Sequence, residues 1–269
     1  YSFMEKITIP NTKLTISKLI FGTGSLIKNI REKKQLYILS KAIENDFTHF
    51  DTSPLYGFGS TEKLVGSILK NNQKLSVTSK VGMYPTYGLN PNMPKIYCIR
   101  LFYKLTREMN FNFNTAVVNF SIKKAKISLE NTLKNLKRDR VDIYMLHEPM
   151  YQLLSCNEWA IFLENLKKEG KIRYSGLALD ANNLLDFIKN SKTKLFDILQ
   201  VNDSLDQQEA NILIRNQLPL QITYGYFSSA KKRNIDLLNI LKKIKIRNNN
   251  GAIIVSSNNY EHIKELSQV

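Results

Sequence analysis

Cysteine and histidine are scarce in this sequence. Two cysteines, Cys98 and Cys156, and three histidines are present among 269 residues. They form neither a Cys-x-x-Cys pair nor any other metal-ligand spacing, so the sequence predicts no metal site and no disulfide framework. Two separated thiols are typical of a reducing compartment, and we expect a cytoplasmic protein.

Long apolar segments are also missing. The chain contains no run of about 18 apolar residues, which is the length that a membrane-spanning helix requires. Residues 1–12 carry Glu5 and Lys6 and lack the apolar core of a signal peptide. We therefore expect no secretion and no membrane partner.

Acidic residues are outnumbered by basic ones. The 39 Lys and Arg residues against 23 Asp and Glu residues give a net charge of +16. Such an excess favours polyanions or phosphate-bearing ligands as partners. The basic residues are spread along the chain without a stripe or a recognition motif, so compositional bias explains most of the charge and we expect no nucleic-acid partner. A phosphate-bearing cofactor or substrate would use part of it.

Segments with the features of strands and helices alternate along the chain. Short apolar runs predict eight strands, at 19–24, 47–52, 75–81, 141–146, 172–179, 196–201, 219–224 and 252–255. Apolar residues with helical spacing predict a helix after each strand, at 33–45, 60–70, 121–136, 157–168, 181–190, 205–216, 235–246 and from 260 onward. Eight such units without a linker predict a single (β/α)8 TIM barrel over residues 1–269.

Two segments fall outside this repeat. Residues 7–10 and 14–17 predict an N-terminal β-hairpin. The stretch 83–119, after the third strand, is a long loop that contains aromatic and basic residues, and long loops within domains are often functional. Two interpretations stay open, namely a lid with anion-binding residues that faces the substrate, or a helix at about 96–109 that packs on the outside.

Polar side chains stand at three of the predicted strand ends. Asp51 closes the second strand and Tyr56 lies in the turn beyond it, whereas Lys80 and His147 lie at the ends of the third and fourth strands. Parallel α/β folds place their chemistry at this edge. A tyrosine can act as a general acid when its pKa, about 10 unperturbed, is brought down, and a lysine held by an aspartate would do so. Taken singly, each residue has another interpretation: Asp51 as a helix cap, Tyr56 as a surface aromatic, Lys80 as a solvated lysine and His147 as a core histidine. Their joint placement favours catalysis.

The residues around these four positions resemble the motifs of the aldo-keto reductases. The run from Phe50 to Gly57 resembles that family's Asp-to-Tyr signature. Residues 78–80 (Thr-Ser-Lys) resemble its lysine strand, and residues 146–149 (Leu-His-Glu-Pro) resemble its histidine strand. The resemblance implies a (β/α)8 barrel that transfers hydride reversibly between a nicotinamide and a carbonyl.

The resemblance also implies a role for each of the four residues. Tyr56 would be the general acid in reduction and the general base in oxidation. Lys80, paired with Asp51, would lower the pKa of Tyr56 by stabilising its phenolate. His147 would donate a hydrogen bond to the carbonyl oxygen and orient it.

The expected cofactor site does not follow the Rossmann pattern. The chain lacks a Gly-x-Gly-x-x-Gly run followed by a ribose-binding acid. The resemblance instead implies a dinucleotide that lies extended over the barrel mouth. The implied contacts are Gly22 and Thr23 at the end of the first strand, Gln200 for the carboxamide, Tyr224 for stacking on the nicotinamide, and Ser256, Ser257, Asn258 and His262 around the adenosine phosphate.

The sequence departs from the family pattern in two places. Ala178 and Leu179 stand where a Ser-Asn pair is usual, and Ser256 and His262 stand where many members carry a Lys and an Arg for the 2′-phosphate. The basic residues at 231–233, the overall charge and the free N–H groups of the last helix still favour an anion. We therefore expect NADPH over NADH by a reduced margin, with NADH as the alternative.

Together these features predict an NAD(P)H-dependent oxidoreductase that reduces aldehyde, ketone or sugar carbonyls, or oxidises the corresponding alcohols. The polar mouth and the short C-terminal segment favour polar, sugar-like substrates. The alternative is a catalytically weak member of the family that acts as a regulatory or binding protein. We expect a monomer or a weak homo-oligomer.

Overall fold

The alternation of apolar runs and helical segments folds into a closed parallel barrel. The structure, a computed structural model, describes residues 4–29, 31–86, 88, 98, 116–227 and 237–267. Strands β1 (Lys6–Thr8) and β2 (Thr15–Ser17) form an antiparallel hairpin, and β6 (Met83–Pro85) and β7 (Ala116–Val118) form another. The barrel strands are β3 (Leu19–Gly22), β4 (His49–Asp51), β5 (Ser76–Val81), β8 (Val141–His147), β9 (Ile172–Leu179), β10 (Ile198–Asn202), β11 (Ile222–Tyr224) and β12 (Ala252–Val255). The predicted TIM barrel and its N-terminal hairpin are confirmed.

The N-terminal hairpin covers one end of the barrel. Ile9, Leu14 and Ile16 are buried and pack with the inward-facing apolar residues of the barrel strands. The backbone N–H of Lys13 donates to the hydroxyl of Tyr174, which lies near the amino end of β9, at 2.9 Å. The hairpin therefore closes the amino-terminal end of the barrel.

Eight α-helices of the described part surround the barrel. They are α1 (Glu32–Glu44), α2 (Thr61–Leu69), α3 (Ile122–Leu136), α4 (Cys156–Lys168), α5 (Ala181–Lys189), α6 (Asn211–Arg215), α7 (Leu237–Arg247) and α8 (Tyr260–Ser267). In this part of the chain, none of them combines the length and the apolar character that crossing a membrane would demand.

The helices differ from the sequence pattern in three places. The predicted helix at 205–216 is shortened to α6, because Gln208 adopts a left-handed φ of +51° that interrupts a helix. Ile127 of α3 and Leu238 of α7 are apolar but 49% and 41% exposed. The hydroxyl of Ser60 does not cap α2 and donates instead to the carbonyl of Gly57 at 2.7 Å.

A buried polar cluster joins α2 to the barrel. Glu62, an acidic residue in the first turn of α2, is almost fully buried. Its carboxylate accepts hydrogen bonds from Ser79 at 2.7 Å, Thr132 at 2.9 Å and Asn135 at 3.3 Å. Burial raises the pKa of Glu62, and these donors oppose that shift. The cluster fixes β5 against α2 and α3 at the position next to Lys80.

The long loop after the third barrel strand begins and ends as a β-hairpin. Met83 pairs with Val118 and Pro85 with Ala116, so the segment leaves the barrel and returns to it at one point. Residues 87, 89–97 and 99–115 lie outside the described residues, and with them both interpretations of this loop, as a lid or as an outer helix.

Candidate active site

The four residues at the predicted strand ends lie together in the structure. Strands β4, β5 and β8 are neighbours in the barrel and run parallel, so their carboxyl ends meet. Asp51 ends β4, Lys80 is the penultimate residue of β5, and His147 ends β8. Tyr56 begins a short 3-10 helix, Tyr56–Gly59, that follows β4.

Lys80 is the centre of the cluster. Its Nζ donates to Asp51 Oδ1 at 2.6 Å, to Oδ2 at 2.7 Å and to the carbonyl of Thr52 at 3.2 Å. The side chains of Lys80 and Asp51 are 1% and 3% exposed. Burial alone would lower the pKa of Lys80, but Asp51 and Tyr56 reverse that effect and raise the pKa. Lys80 is therefore protonated at neutral pH and forms a buried ion pair with Asp51.

The hydroxyl of Tyr56 lies next to this ammonium group. Lys80 Nζ is 3.4 Å from the Tyr56 hydroxyl and 5.0 Å from the centroid of its ring. Burial raises the pKa of Tyr56, and Lys80 opposes the increase. The sequence predicted a net decrease; the structure gives a net increase, because the loss of solvent outweighs the ammonium charge. Tyr56 therefore keeps its proton at neutral pH.

The turn after Tyr56 depends on glycine. Gly57 and Phe58 adopt left-handed φ values of +61° and +57°, and a Cβ at Gly57 would collide with the side chain of Thr61. Glycine adopts this conformation without the steric cost of a side chain. Gly57 thus allows the chain to turn sharply into α2 and leaves Tyr56 directed at Lys80.

His147 packs edge-to-face against Tyr56. Their ring centroids are 5.9 Å apart with an interplanar angle of 87°. Burial, together with the charge of Lys80, lowers the pKa of His147 to about 3, so the imidazole is neutral at neutral pH. Its Nδ1 lies 3.3 Å from the hydroxyl of Ser53. Sequence reasoning missed Ser53, although it lies inside the motif that contains Asp51 and Tyr56.

A small cavity opens beside these residues. It has a volume of about 180 Å³ and is lined by Asp51, Tyr56, His147, Glu148, Ala178, Gln200, Tyr224 and Ile254. Gln200 and Tyr224 were predicted from the sequence, whereas Glu148, Ala178 and Ile254 were not assigned to the site. In the described part of the chain, no group of three or more His, Cys, Asp or Glu side chains is arranged to hold a metal ion.

The cavity contains an unsatisfied polar atom. Gln200 is buried, and its Oε1 has no hydrogen-bond partner among the described residues. A buried acceptor without a donor is costly and is usually satisfied by a ligand or by water. The carboxamide of a nicotinamide carries N–H donors, so Gln200 fits the contact that the sequence predicted for it.

Gly22, the last residue of β3, and Thr23, which follows it, are packed tightly. A Cβ at Gly22 would lie 2.8 Å from the Ile254 side chain and 3.3 Å from the carbonyl of Val255, so this position requires glycine. Thr23 is buried, and its hydroxyl donates to the carbonyl of Asp51 at 2.9 Å. Gly22 and Thr23 therefore hold β3 against its neighbours β12 and β4 at the barrel mouth.

The segment before the last helix differs in exposure from residue to residue. Ser256 and His262 are exposed, Asn258 is half-buried, and Ser257 is buried. The Ser257 hydroxyl donates to the carbonyl of Asn259 at 3.0 Å and accepts a hydrogen bond from the N–H of Asn259 at 3.1 Å. These contacts form a tight turn at the amino end of α8, where a phosphate is favoured. The basic residues at 231–233 lie outside the described residues.

Comparisons with known proteins give matches in both sequence and structure. The model of the Aldo/keto reductase family matches residues 18–217. Aldo-keto reductase YhdN of Bacillus subtilis (strain 168) is 26% identical over 179 residues, which are 65% of this chain and 47% of that protein. The NADH-specific methylglyoxal reductase of Escherichia coli (strain K12) is 28% identical over 226 residues, which are 78% of this chain and 63% of that protein. The chain thus spans about half the length of the first curated relatives it matches.

A solved structure supports the same fold. The crystal structure of an aldo-keto reductase from Klebsiella pneumoniae in complex with NADPH superposes with a TM-score of 0.66 at 19% identity. The superposition covers 98% of this chain and 89% of the Klebsiella chain. At this identity the likeness concerns the barrel architecture.

Proposed function

Because this chain belongs to the aldo/keto reductase family, we propose that it is an NAD(P)H-dependent oxidoreductase that reduces aldehyde, ketone or sugar carbonyls, or oxidises the corresponding alcohols. The observation that carries the proposal is the contact of the Tyr56 hydroxyl with Lys80 Nζ at 3.4 Å, beside the neutral ring of His147. These three groups line or adjoin the cavity at the carboxyl end of the barrel. Together they provide a proton, a countercharge and a hydrogen-bond donor for one carbonyl oxygen.

Tyr56 is the proton donor in this proposal. Reduction places negative charge on the substrate oxygen, and the Tyr56 hydroxyl neutralises it by proton transfer. The phenolate left on Tyr56 is stabilised by Lys80, whose ammonium group stays charged because Asp51 holds it at 2.6 and 2.7 Å. In the oxidation direction the same phenolate accepts the proton of the alcohol.

His147 orients the carbonyl through Nε2. We assign the Ser53 hydroxyl as the donor in its 3.3 Å contact with Nδ1, which would make Nδ1 the acceptor nitrogen and leave the ring proton on Nε2. A neutral imidazole with a proton on Nε2 donates a hydrogen bond to the carbonyl oxygen without competing with Tyr56 for proton transfer.

A nicotinamide dinucleotide would supply the hydride when bound. Gln200, with its unsatisfied Oε1, would hold the carboxamide, and Tyr224, which lines the same cavity, would stack on the ring. The turn formed by Ser257 and the amino end of α8 would receive the adenosine phosphate.

We expect a modest preference for NADPH. Ser256 and His262 are exposed and present weaker partners for a 2′-phosphate than Lys and Arg would, while the net charge of +16 favours the additional anion. One charge-assisted contact, worth about 1.5–3 kcal/mol, would give a preference of roughly tenfold or more. Fluorescence titration with each reduced dinucleotide measures it. Equal affinities, or tighter NADH binding, would contradict the expectation.

A gain-of-charge variant sharpens this titration. Ser256→Lys should widen the preference for NADPH by roughly another tenfold, because it adds a charged donor at the exposed position before α8. Asn216→Lys, at an exposed position after α6, adds the same charge elsewhere and should leave the ratio of affinities unchanged. An equal effect of both substitutions would mean that overall charge, rather than a local contact, sets the preference.

An activity assay tests the proposed reaction. Purified protein with NADPH or NADH should oxidise the dinucleotide when short aldehydes, ketones or aldoses are supplied, as followed by loss of absorbance of the reduced cofactor. The alternative of a catalytically weak binding protein is favoured by Ala178, which lines the cavity with a methyl group where the family usually has a polar side chain. Dinucleotide binding without turnover of any carbonyl in such a panel would favour that alternative.

A further inference from the structure

Glu148 follows His147 at the end of β8, and both side chains line the cavity. Successive side chains of a strand point to opposite faces, so a regular strand could not present both. Glu148 has a left-handed φ of +50°, and its N–H donates to the carbonyl of Ala178 at 2.8 Å. This change of backbone conformation at the strand end turns the Glu148 carboxylate toward the same space as His147.

This backbone conformation is unusual for a glutamate. Left-handed φ values are found mostly at glycine, asparagine and aspartate and are uncommon at other residues. Strained residues are concentrated at active sites and ligand contacts. At Glu148 this conformation occurs in a residue whose side chain lines the cavity.

The carboxylate of Glu148 retains capacity to accept further hydrogen bonds. Oε2 accepts from the N–H of Asp180 at 3.2 Å, and Oε1 accepts from the hydroxyl of Tyr224 at 3.4 Å. A carboxylate offers about four acceptor positions, so these two contacts, both near the upper limit of hydrogen-bond length, leave room for other donors. Burial raises the pKa of Glu148, and its hydrogen bonds from the Asp180 N–H and the Tyr224 hydroxyl oppose that increase.

We propose that Glu148 binds hydroxyl groups of the substrate and makes the enzyme selective for hydroxylated aldehydes, such as short aldoses and α-hydroxy aldehydes, over aldehydes of the same length without hydroxyls. The proposal rests on the function proposed above, because it requires the carbonyl oxygen to lie between Tyr56 and His147. An α-hydroxyl is attached to the carbon next to that carbonyl. It therefore lies within reach of the residue adjoining His147, where a carboxylate accepts its proton in a hydrogen bond.

The carboxylate would create this selectivity in two ways, by favouring the hydroxylated aldehyde and by disfavouring the apolar one. A hydroxylated aldehyde satisfies the carboxylate, whereas an apolar aldehyde leaves it desolvated and without new donors. Replacing the carboxylate should improve the relative rate of the apolar aldehyde and weaken that of the hydroxylated one. A purely structural role of Glu148, through Asp180 and the start of α5, would change stability and leave the relative rates unaffected.

The test compares kcat/KM for glyceraldehyde and propanal, which have three carbons each and differ in their hydroxyls. The ratio of the two values should fall about tenfold or more in Glu148→Ala, mainly through a higher KM for glyceraldehyde. The ratio in Glu148→Gln should lie between the values for the wild-type protein and Glu148→Ala, because the amide oxygen accepts a hydrogen bond but carries no charge. Hydration of glyceraldehyde is the same for every variant and cancels in the comparison.

Glu158→Gln, at an exposed position of α4, is the matched control and should leave the ratio unchanged. Thermal unfolding of each variant detects a structural effect separately. An unchanged ratio in Glu148→Ala, with wild-type protein active on both aldehydes, would overturn this inference and leave the proposed function standing. A wild-type protein that reduces neither aldehyde, nor any other carbonyl, would overturn both.

Discussion

Replacing Tyr56 with Phe is expected to lower turnover by about 10²-fold or more while dinucleotide binding is kept. The substitution removes one hydroxyl, the group that lies 3.4 Å from Lys80 Nζ and faces the cavity. The ring that packs edge-to-face on His147 is preserved, so the shape of the cavity changes little. Steady-state kinetics with the best carbonyl of the panel measures turnover, and fluorescence titration measures binding.

A matched substitution separates this effect from a general effect of losing a tyrosine hydroxyl. Tyr174 contacts the N-terminal hairpin at the opposite end of the barrel, through the N–H of Lys13. Tyr174→Phe should therefore leave turnover nearly unchanged. Turnover near the wild-type value in Tyr56→Phe would exclude Tyr56 as the proton donor.

The dependence of the rates on pH gives a second readout for Tyr56. Because burial raises the pKa of Tyr56, the hydroxyl is protonated throughout the neutral range, and the reduction rate should stay level there and fall at alkaline pH. Oxidation requires the phenolate and should rise as the pH increases. Both dependences should disappear in the residual activity of Tyr56→Phe, since the titrating group is gone.

The barrel could be predicted from the sequence because its strands are buried on both faces. Such strands read as short continuous apolar runs, and the alternation of eight runs with helical segments restricts the fold to few architectures. The same rule located the site. Asp51, Lys80 and His147 are polar residues at the ends of otherwise apolar strands, and parallel strands bring their carboxyl ends together.

Features that depend on packing could not be predicted in the same way. Ile127 is apolar but lies two residues from both Ala125 and Leu129 on α3, which places it about 200° around the helix from each, on the exposed side. The position of Glu148 could not be predicted, because side chains alternate between the two faces of a strand and this alternation would direct the residue after His147 away from the cavity. Its left-handed backbone is set by the contact with Ala178 on the neighbouring strand.

The net pKa of Tyr56 depends on two large opposing effects. The sequence indicates the nearby charge of Lys80, and its direction was predicted correctly. The degree of burial follows from the complete fold, and it outweighs that charge. In the proposed mechanism, Lys80 therefore acts mainly after proton transfer, when the phenolate would form next to the ammonium group.

Replacing Lys80 with Met is expected to abolish activity and to destabilise the fold by about 3–5 kcal/mol. Asp51 is buried, and Lys80 supplies both of its short contacts, at 2.6 and 2.7 Å. Without Lys80 the carboxylate must remain as an uncompensated buried charge or take up a proton, and both outcomes cost free energy relative to the ion pair. Urea unfolding measures the stability, and the activity assay measures turnover.

A double substitution distinguishes loss of the pair from loss of packing. Asp51→Asn combined with Lys80→Met removes the unpaired carboxylate of Asp51. The double variant should therefore recover a large part of the stability lost in Lys80→Met and stay inactive. Lys171→Met is the surface control: Lys171 pairs with Glu130 at 2.9 Å in a half-exposed position, and its loss should cost less than about 1 kcal/mol. If Lys80→Met unfolded at the same urea concentration as the wild-type protein, the substitution would affect turnover alone. The ion pair would then contribute nothing to the stability of the barrel.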